Sequence, residues 1–294
     1  PSMIYYLPWG DDNTASSRLR VFKIGELLED ARIGTPEKYE KGDVLIIQKT
    51  PQREEMKRAQ AQGAKVIYDI DDYYWDKPEF RSMMKNADVV TVDTEEKKRM
   101  LGFVGKKSRG AIVIPDCLDW DGISREEQPK NGIIGWTGYG NSAVYLDKIK
   151  DELPKEYTLR LVTSPDWLKF VKDKECKVQN RVWSLEMVDK YLRECEFTIY
   201  PLPDEDFTKC KGMHKLLKSW ANRIPCYTSP MPDYVKAMEE AGVGKKYLVE
   251  DWSKLKNEGF DEKCYEYAMK FKPEVIVELW KQVIGELTKE ESGA

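Results

Sequence analysis

Two rhythms of apolar and polar positions run along this 294-residue chain. Short unbroken apolar runs, such as DVLIIQK at Asp43–Lys49 and AIVIPD at Ala111–Asp116, are what parallel strands buried on both faces require. Between them, apolar residues recur three and four positions apart, the spacing of one helical face. Strands are expected at Met3–Trp9, Asp43–Lys49, Lys65–Asp72, Asp88–Asp93 and Ala111–Asp116. Helices are expected at Ser16–Asp30, with serines placed to cap it, and at Gln52–Gly63, closed by a glycine. Alternation of this kind builds a parallel sheet flanked by helices.

The polar segment Ser124–Gly132 reads as a linker, after which the pattern restarts. Gly132–Gly138, Thr158–Ser164, Glu196–Leu202 and Ile224–Ser229 read as strands, and Asn141–Leu153 and Ser184–Cys195 as helices. Glu274–Leu287 is a strongly amphipathic last helix. The expected fold is α/β, with two Rossmann-like domains, 1–128 and 129–294, facing each other across a cleft; the last helix could pack back on the first domain. In such sheets ligands sit at the carboxyl ends of the strands, and small molecules favour the space between domains.

Composition narrows the choice of partner. Lys plus Arg number 48 against 52 Asp plus Glu, so no global basic footprint marks a nucleic-acid or anionic-membrane protein. His214 is the single histidine, which argues against a histidine metal site. The six cysteines form no CxxC pair and read as reduced thiols of a cytoplasmic protein. No apolar run is long enough to span a bilayer, and the first residues lack the pattern of a secretory leader. Oligomeric state is not readable.

The strand-end loops hold the candidate chemistry. In GWTGYGNS, Gly138 and Gly140 allow close backbone approach, with Tyr139 between them, and Asn141 and Ser142 open a helix whose first N–H groups suit phosphate. Such a turn is also often only a turn. In KGMHKLLKSWANRIPCYTS, Met213, Leu216, Leu217 and Trp220 make an apolar face, with Lys211, Lys215 and Lys218 opposite. That lysine face is either solvated or an anion site, and Lys209 and Lys211 are best placed at the helix start. Asp69, Asp71 and Asp72 are strand-end caps, a general base or a carboxylate metal site. Arg18 and Arg20 are anion contacts or surface charges.

Taken together, SSRLR, VIYDIDDYYW, DVVTVDTEEKKRML with VIPDCLD, IIGWTGYGNSAVYL and FTIYPLPDEDFTKCKGMHKLLKSWANRIPCYTS resemble the GT-B glycosyltransferases, in particular the retaining family 4 group. The resemblance implies a nucleotide-sugar donor held mainly by the second domain and an acceptor held mainly by the first, without metal or other cofactor. It implies that Gly138–Asn141 lies at the donor diphosphate, that Lys211 and Lys215 neutralise the leaving group, and that Asp206, Phe207 and Lys209 approach the donor. Two departures stand out: Lys218 replaces the glutamate common at the donor ribose, and Arg223 replaces a glycine.

The acceptor is then a bacterial glycan or a modified base in DNA, the latter in a phage enzyme. Lys106, Lys107 and Arg109 could touch phosphates, and Trp9, Tyr73 and Trp75 could stack on a base or a sugar. The competing readings are a GT-B-like module that binds a nucleotide or a partner without turnover, and a different GT-B enzyme such as an epimerase or phosphorylase.

Overall fold

The computed structural model describes residues 2–73, 76–107, 109–165 and 177–289. The chain divides into two compact units. One comprises Pro1–Cys117, Cys210–Gly212 and Phe271–Ala294; the other comprises Leu118–Lys209 and Met213–Lys270.

The first unit is built on six parallel strands: β1 (Ile4–Leu7), β2 (Ala31–Ile33), β3 (Val44–Gln48), β4 (Lys65–Ile70), β5 (Val89–Val92) and β6 (Ile112–Val113). Their order is β2-β1-β3-β4-β5-β6. Side chains alternate between the faces of a strand, so this sheet has two cores. Tyr6, Ile46 and Ile67 pack with Leu19, Ile24 and, from the last helix (Pro273–Lys289), Ile276, Trp280 and Val283. Leu45, Ile47, Val66 and Tyr68 pack with Met56, Ala59, Met83 and Met84.

The second unit carries five parallel strands: β7 (Ile133–Thr137), β8 (Thr158–Thr163), β9 (Lys177–Val182), β10 (Phe197–Tyr200) and β11 (Cys226–Thr228). Their order is β11-β10-β7-β8-β9. Two strands escape the sequence pattern, β2 and β9. Both are edge strands, and an edge needs no unbroken apolar run; β2 is only three residues long, β9 is mostly polar, and neither has a buried residue.

The segment Ser124–Gly132 is polar but not loose. Arg125 is buried and satisfies carbonyls of the second unit: it donates to Arg223 O at 3.1 Å, Arg193 O at 3.1 Å and Glu196 O at 3.0 Å, and also to Cys195 O. The division between the units therefore falls before this segment, at Cys117/Leu118.

The expected helix after β1 is interrupted. Ala15–Ser17 and Lys23–Gly25 are α-helical, whereas Arg18–Phe22 between them is a π-helix, a device frequent at functional sites. It turns Arg20 into the unit. Arg20 Nε and Nη2 each lie 2.7 Å from an oxygen of Asp69, and Nη1 donates to Ile114 O at 2.7 Å. Thr91 Oγ1 donates to the same carboxylate at 2.7 Å. Arg20→Met would leave Asp69 buried without its cation, which costs about 3–5 kcal/mol. A lowered urea midpoint is expected; an unchanged midpoint would show that the pair contributes nothing.

Candidate functional site

The carboxyl edge of the first sheet gathers charge. Strand register sets Gln48 beside Asp69 and Asp69 beside Thr91, so residues just past these strand ends converge. Lys49 follows β3 in the left-handed conformation, with φ of 55°, which a lysine adopts only where its surroundings enforce it. Its carbonyl accepts a hydrogen bond from the Tyr68 hydroxyl. Its ammonium lies 2.6 Å from Asp72 Oδ2, 3.2 Å from Asp71 Oδ1 and 2.9 Å from Ser16 Oγ. The Trp9 ring sits 4.8 Å from the same ammonium. Although burial opposes the charge, Asp71 and Asp72 hold the Lys49 pKa above its ordinary value.

Asp71 is the distinctive group here. Its carboxylate is buried, and Oδ1 has the Lys49 ammonium at 3.2 Å as its one charged contact among the described residues. Burial pushes its pKa up to about 6; Lys49 pulls it back, and Asp72 and Asp69 push it further. Its backbone carbonyl is fixed by Lys97 Nζ at 2.6 Å, and Lys97 also pairs with Asp93. Burial pushes Asp93 up to about 8, against the pull of Lys97.

Lys211 belongs to this cluster. Sequence periodicity extends the lysine helix back to it, but the helix spans His214–Ala221 and Lys211 precedes it, within the first unit. Burial lowers the Lys211 pKa, with Lys97 and Lys49 lowering it as well and Asp72 and Asp93 opposing. The next residue is held to glycine by packing: a Cβ on Gly212 would lie 2.9 Å from Asp93 Oδ2.

The second unit has its own site at the carboxyl ends of β7 and β10. Lys215 projects its ammonium 5.4 Å from the Trp136 ring centre and 5.3 Å from that of Tyr200, a cation held by two aromatic faces. A Cβ on Gly138 would lie 2.5 Å from that ammonium and 2.8 Å from the Trp136 ring; the lysine end could swing aside, so it is the ring that leaves no room for a side chain at the turn. The Gly138 carbonyl accepts from Thr163 Oγ1 at 2.6 Å. Tyr139, exposed, caps the helix Gly140–Ile149, and its carbonyl accepts from the Ser142 N–H at 3.0 Å. The side chains of Gly140 and Asn141 are outside the description, as are Tyr74 and Trp75 altogether.

The remaining expected residues are placed as follows. Asp206, exposed, and Phe207, half-buried, lie in the short helix Asp206–Lys209, whose Lys209 pairs with Asp204 at 3.1 Å. Arg18 is buried and donates to Asp12 O at 2.8 Å. Lys218, at the position the resemblance sets near the donor ribose, is paired within the second unit. It is buried, 3.1 Å from Asp189 Oδ1 and 3.7 Å from Asp119 Oδ2, and Asn222 Nδ2 completes the knot at 2.7 Å from Asp189. The residue that replaces the family glutamate is thus an interior ion pair. Arg223, at the family's glycine, does take the left-handed conformation, with φ of 57°. Glu262 at 2.8 Å and the Tyr265 ring at 3.9 Å hold it there.

Sequence reasoning missed Lys49, Lys97, Trp136 and Tyr200. Lys49 and Tyr200 each occur at or beside the end of an apolar run, which by the carboxyl-end rule was a signal for them. Lys97 looks like one surface charge among several in EEKKRM and shows no such signal.

No family model matches the chain, and no curated protein matches it in sequence. Solved structures do match. The pneumococcal O-GlcNAc transferase GtfA, solved with UDP and GlcNAc, aligns over 84% of this chain with 14% identity and a TM-score of 0.59. This chain spans only 57% of GtfA's length. AviGT4, a glycosyltransferase of avilamycin A biosynthesis, aligns over 100% of this chain and 99% of its own, with 11% identity and a TM-score of 0.56. The T4 phage β-glucosyltransferase, solved with its UDP-glucose substrate, aligns over 99% of this chain and 96% of its own, with 10% identity and a TM-score of 0.51. A β-glucosyltransferase is described among these structures as a DNA-modifying enzyme. Two Rossmann-like units with parallel sheets and these likenesses give the chain the fold of the GT-B glycosyltransferases.

Proposed function

We propose that this chain is a metal-independent glycosyltransferase that moves a sugar from a nucleotide-sugar donor to a hydroxyl acceptor. The observation that carries the reading is Lys215, an ammonium fixed by two aromatic faces against the Gly138 turn. Cleavage of the bond between the sugar C1 and the phosphate oxygen leaves charge on a nucleoside diphosphate. A preorganised cation beside backbone N–H groups at a helix start stabilises that charge. On this reading Gly138, Tyr139, Gly140, Asn141 and Ser142 cradle the diphosphate, and Asp206, Phe207 and Lys209 approach the donor sugar.

Asp71 is the base. Its carboxylate takes the proton of the acceptor hydroxyl as the hydroxyl oxygen attacks C1. The retaining family resemblance points to retention, in which the leaving phosphate accepts this proton. With Asp71 as the base, the reaction is instead a single displacement with inversion. The carboxylates around it already have fixed cations: Asp69 has Arg20, and Asp71 and Asp72 have Lys49. Among the described residues no group of three or more His, Cys, Asp or Glu is set to hold a metal ion. The acceptor is a bacterial glycan or a hydroxymethylated base in phage DNA, and the setting is the cytoplasm of a bacterium or phage-infected cell. Among the described residues no helix is long and apolar enough to cross a membrane.

The test is nucleotide release. The protein is incubated in excess EDTA with UDP-, GDP-, ADP-, CMP- and dTDP-sugars, with and without acceptors. Acceptor-dependent release from one donor supports the transferase. Nucleotide binding without release from any donor supports a binding module instead.

A further inference from the structure

The loop after β1 places one aromatic ring in an unusual setting. Trp9 is 53% exposed, yet its backbone is pegged at several points. Its N–H donates to Gln48 Oε1 at 3.1 Å, the next N–H, of Gly10, donates to Ser17 Oγ at 3.0 Å, and Ser17 Oγ donates to Gln48 Oε1 at 2.8 Å. Gln48 and Ser17 are both fully buried, so the ring is held in advance of any ligand. The Lys49 ammonium lies 4.8 Å from the ring centre and also touches Asp71 and Asp72. An exposed indole therefore stands one ammonium away from the Asp71 and Asp72 carboxylates.

We propose that Trp9 is the stacking platform of an acceptor subsite and that the acceptor it takes is a saccharide, not a base in DNA. The apolar C–H face of a pyranose packs on an indole, and its hydroxyls donate to carboxylates. Both partners are present: the ring, and the partly exposed Asp72 carboxylate that Lys49 holds beside it, with Asp71 behind.

Charge decides between the two acceptors. Near the ring, the cations that face Asp71 and Asp72 are Lys49, Lys97 and Lys211, none of them exposed, so the exposed charge beside the ring is that of Asp11 and Asp12. Asp11 and Asp12 are exposed, where a DNA backbone flanking a stacked base would have to pass. Phosphates there would meet like charge, whereas an uncharged sugar would not. The exposed basic cluster Lys106, Lys107 and Arg109 lies at the other end of the sheet. Lys106 Nζ is 3.2 Å from Asp88, which precedes β5, and the Lys106 N–H donates to Ala87 O, whereas Trp9 follows the carboxyl end of β1.

This names the acceptor of the reaction proposed above and rests on that reading for the word acceptor, but the binding itself can be measured without turnover. The full-length protein is titrated, without donor, with a set of methyl hexopyranosides and disaccharides and, separately, with a hydroxymethylcytosine oligonucleotide. Binding is followed by saturation-transfer NMR. At least one saccharide is expected to bind, Trp9→Ala to weaken it by about tenfold or more, and Trp9→Phe, which keeps a ring, to recover most of the loss. Near-UV circular dichroism reports whether each variant keeps its fold. Oligonucleotide binding that Trp9→Ala abolishes, saccharide binding indifferent to Trp9, or no saccharide binding at all would each overturn the proposal. Trp9-dependent saccharide binding in a protein that releases no nucleotide would leave this inference standing and remove the transferase reading.

Discussion

Replacing Asp71 with asparagine is expected to slow transfer by about 10²–10⁴-fold, the range for loss of a positioned general base. Asparagine keeps the size and the neighbours but cannot accept the proton. Donor affinity should stay near its original value, because Asp71 lies in the first unit and the diphosphate cradle in the second. The pH dependence supplies an independent check. The base works in its ionised form, and its pKa is raised to about 6, chiefly by burial. The rate should therefore be on a plateau above that value and fall as the pH drops through it. Lys49 pulls this pKa down. Lys49→Met should consequently move the falling limb to higher pH, whereas a purely structural role for Lys49 would lower the rate and leave the limb in place. A rate in Asp71→Asn within a few-fold of the original would remove Asp71 as the base and favour the retaining course.

The second large effect belongs to Lys215. Lys215→Ala should reduce transfer by about 10²–10³-fold, comparable with the loss of one preorganised donor to a developing anion. The Trp136 and Tyr200 rings fix the ammonium, and the absence of a side chain on Gly138 lets it reach the turn backbone. Lys215→Arg keeps the charge, but its planar head needs more room against Trp136 and should recover only part of the activity. Steady-state rates with saturating acceptor report this directly. Full activity in Lys215→Ala would move the leaving-group role elsewhere, with Lys211 the next candidate.

How much of this was legible in the sequence varies with the kind of interaction. The central strands β3, β4 and β5 announce themselves because burial on both faces demands unbroken apolar runs. The edge strands β2 and β9 do not, because an exposed strand needs no such run. The Gly138 turn was legible as a turn, but the reason for its glycine was not, since that lies in how the Trp136 ring folds back over it, with Lys215 arriving from far along the chain. The helical period correctly opposes Lys215 and Lys218 to the apolar face, yet it cannot know that Asp189, on another helix, covers Lys218. Nor can period alone show that Lys211 leaves the helix and joins the charges of the first unit. Asp71 and Asp72 were visible as strand-end acids. What separates them from ordinary caps is Lys49 in its left-handed conformation, a feature no local pattern of residue types specifies.

The most direct measurement of the central claim is the product itself. The protein is incubated in EDTA with the ¹³C-labelled sugar donor that supports nucleotide release and with the saccharide that binds best. The anomeric region is then read by NMR. The account predicts a new glycosidic anomeric signal growing at the rate of nucleotide release, with configuration opposite to that of the donor. An intact donor and an unmodified acceptor after prolonged incubation would contradict it.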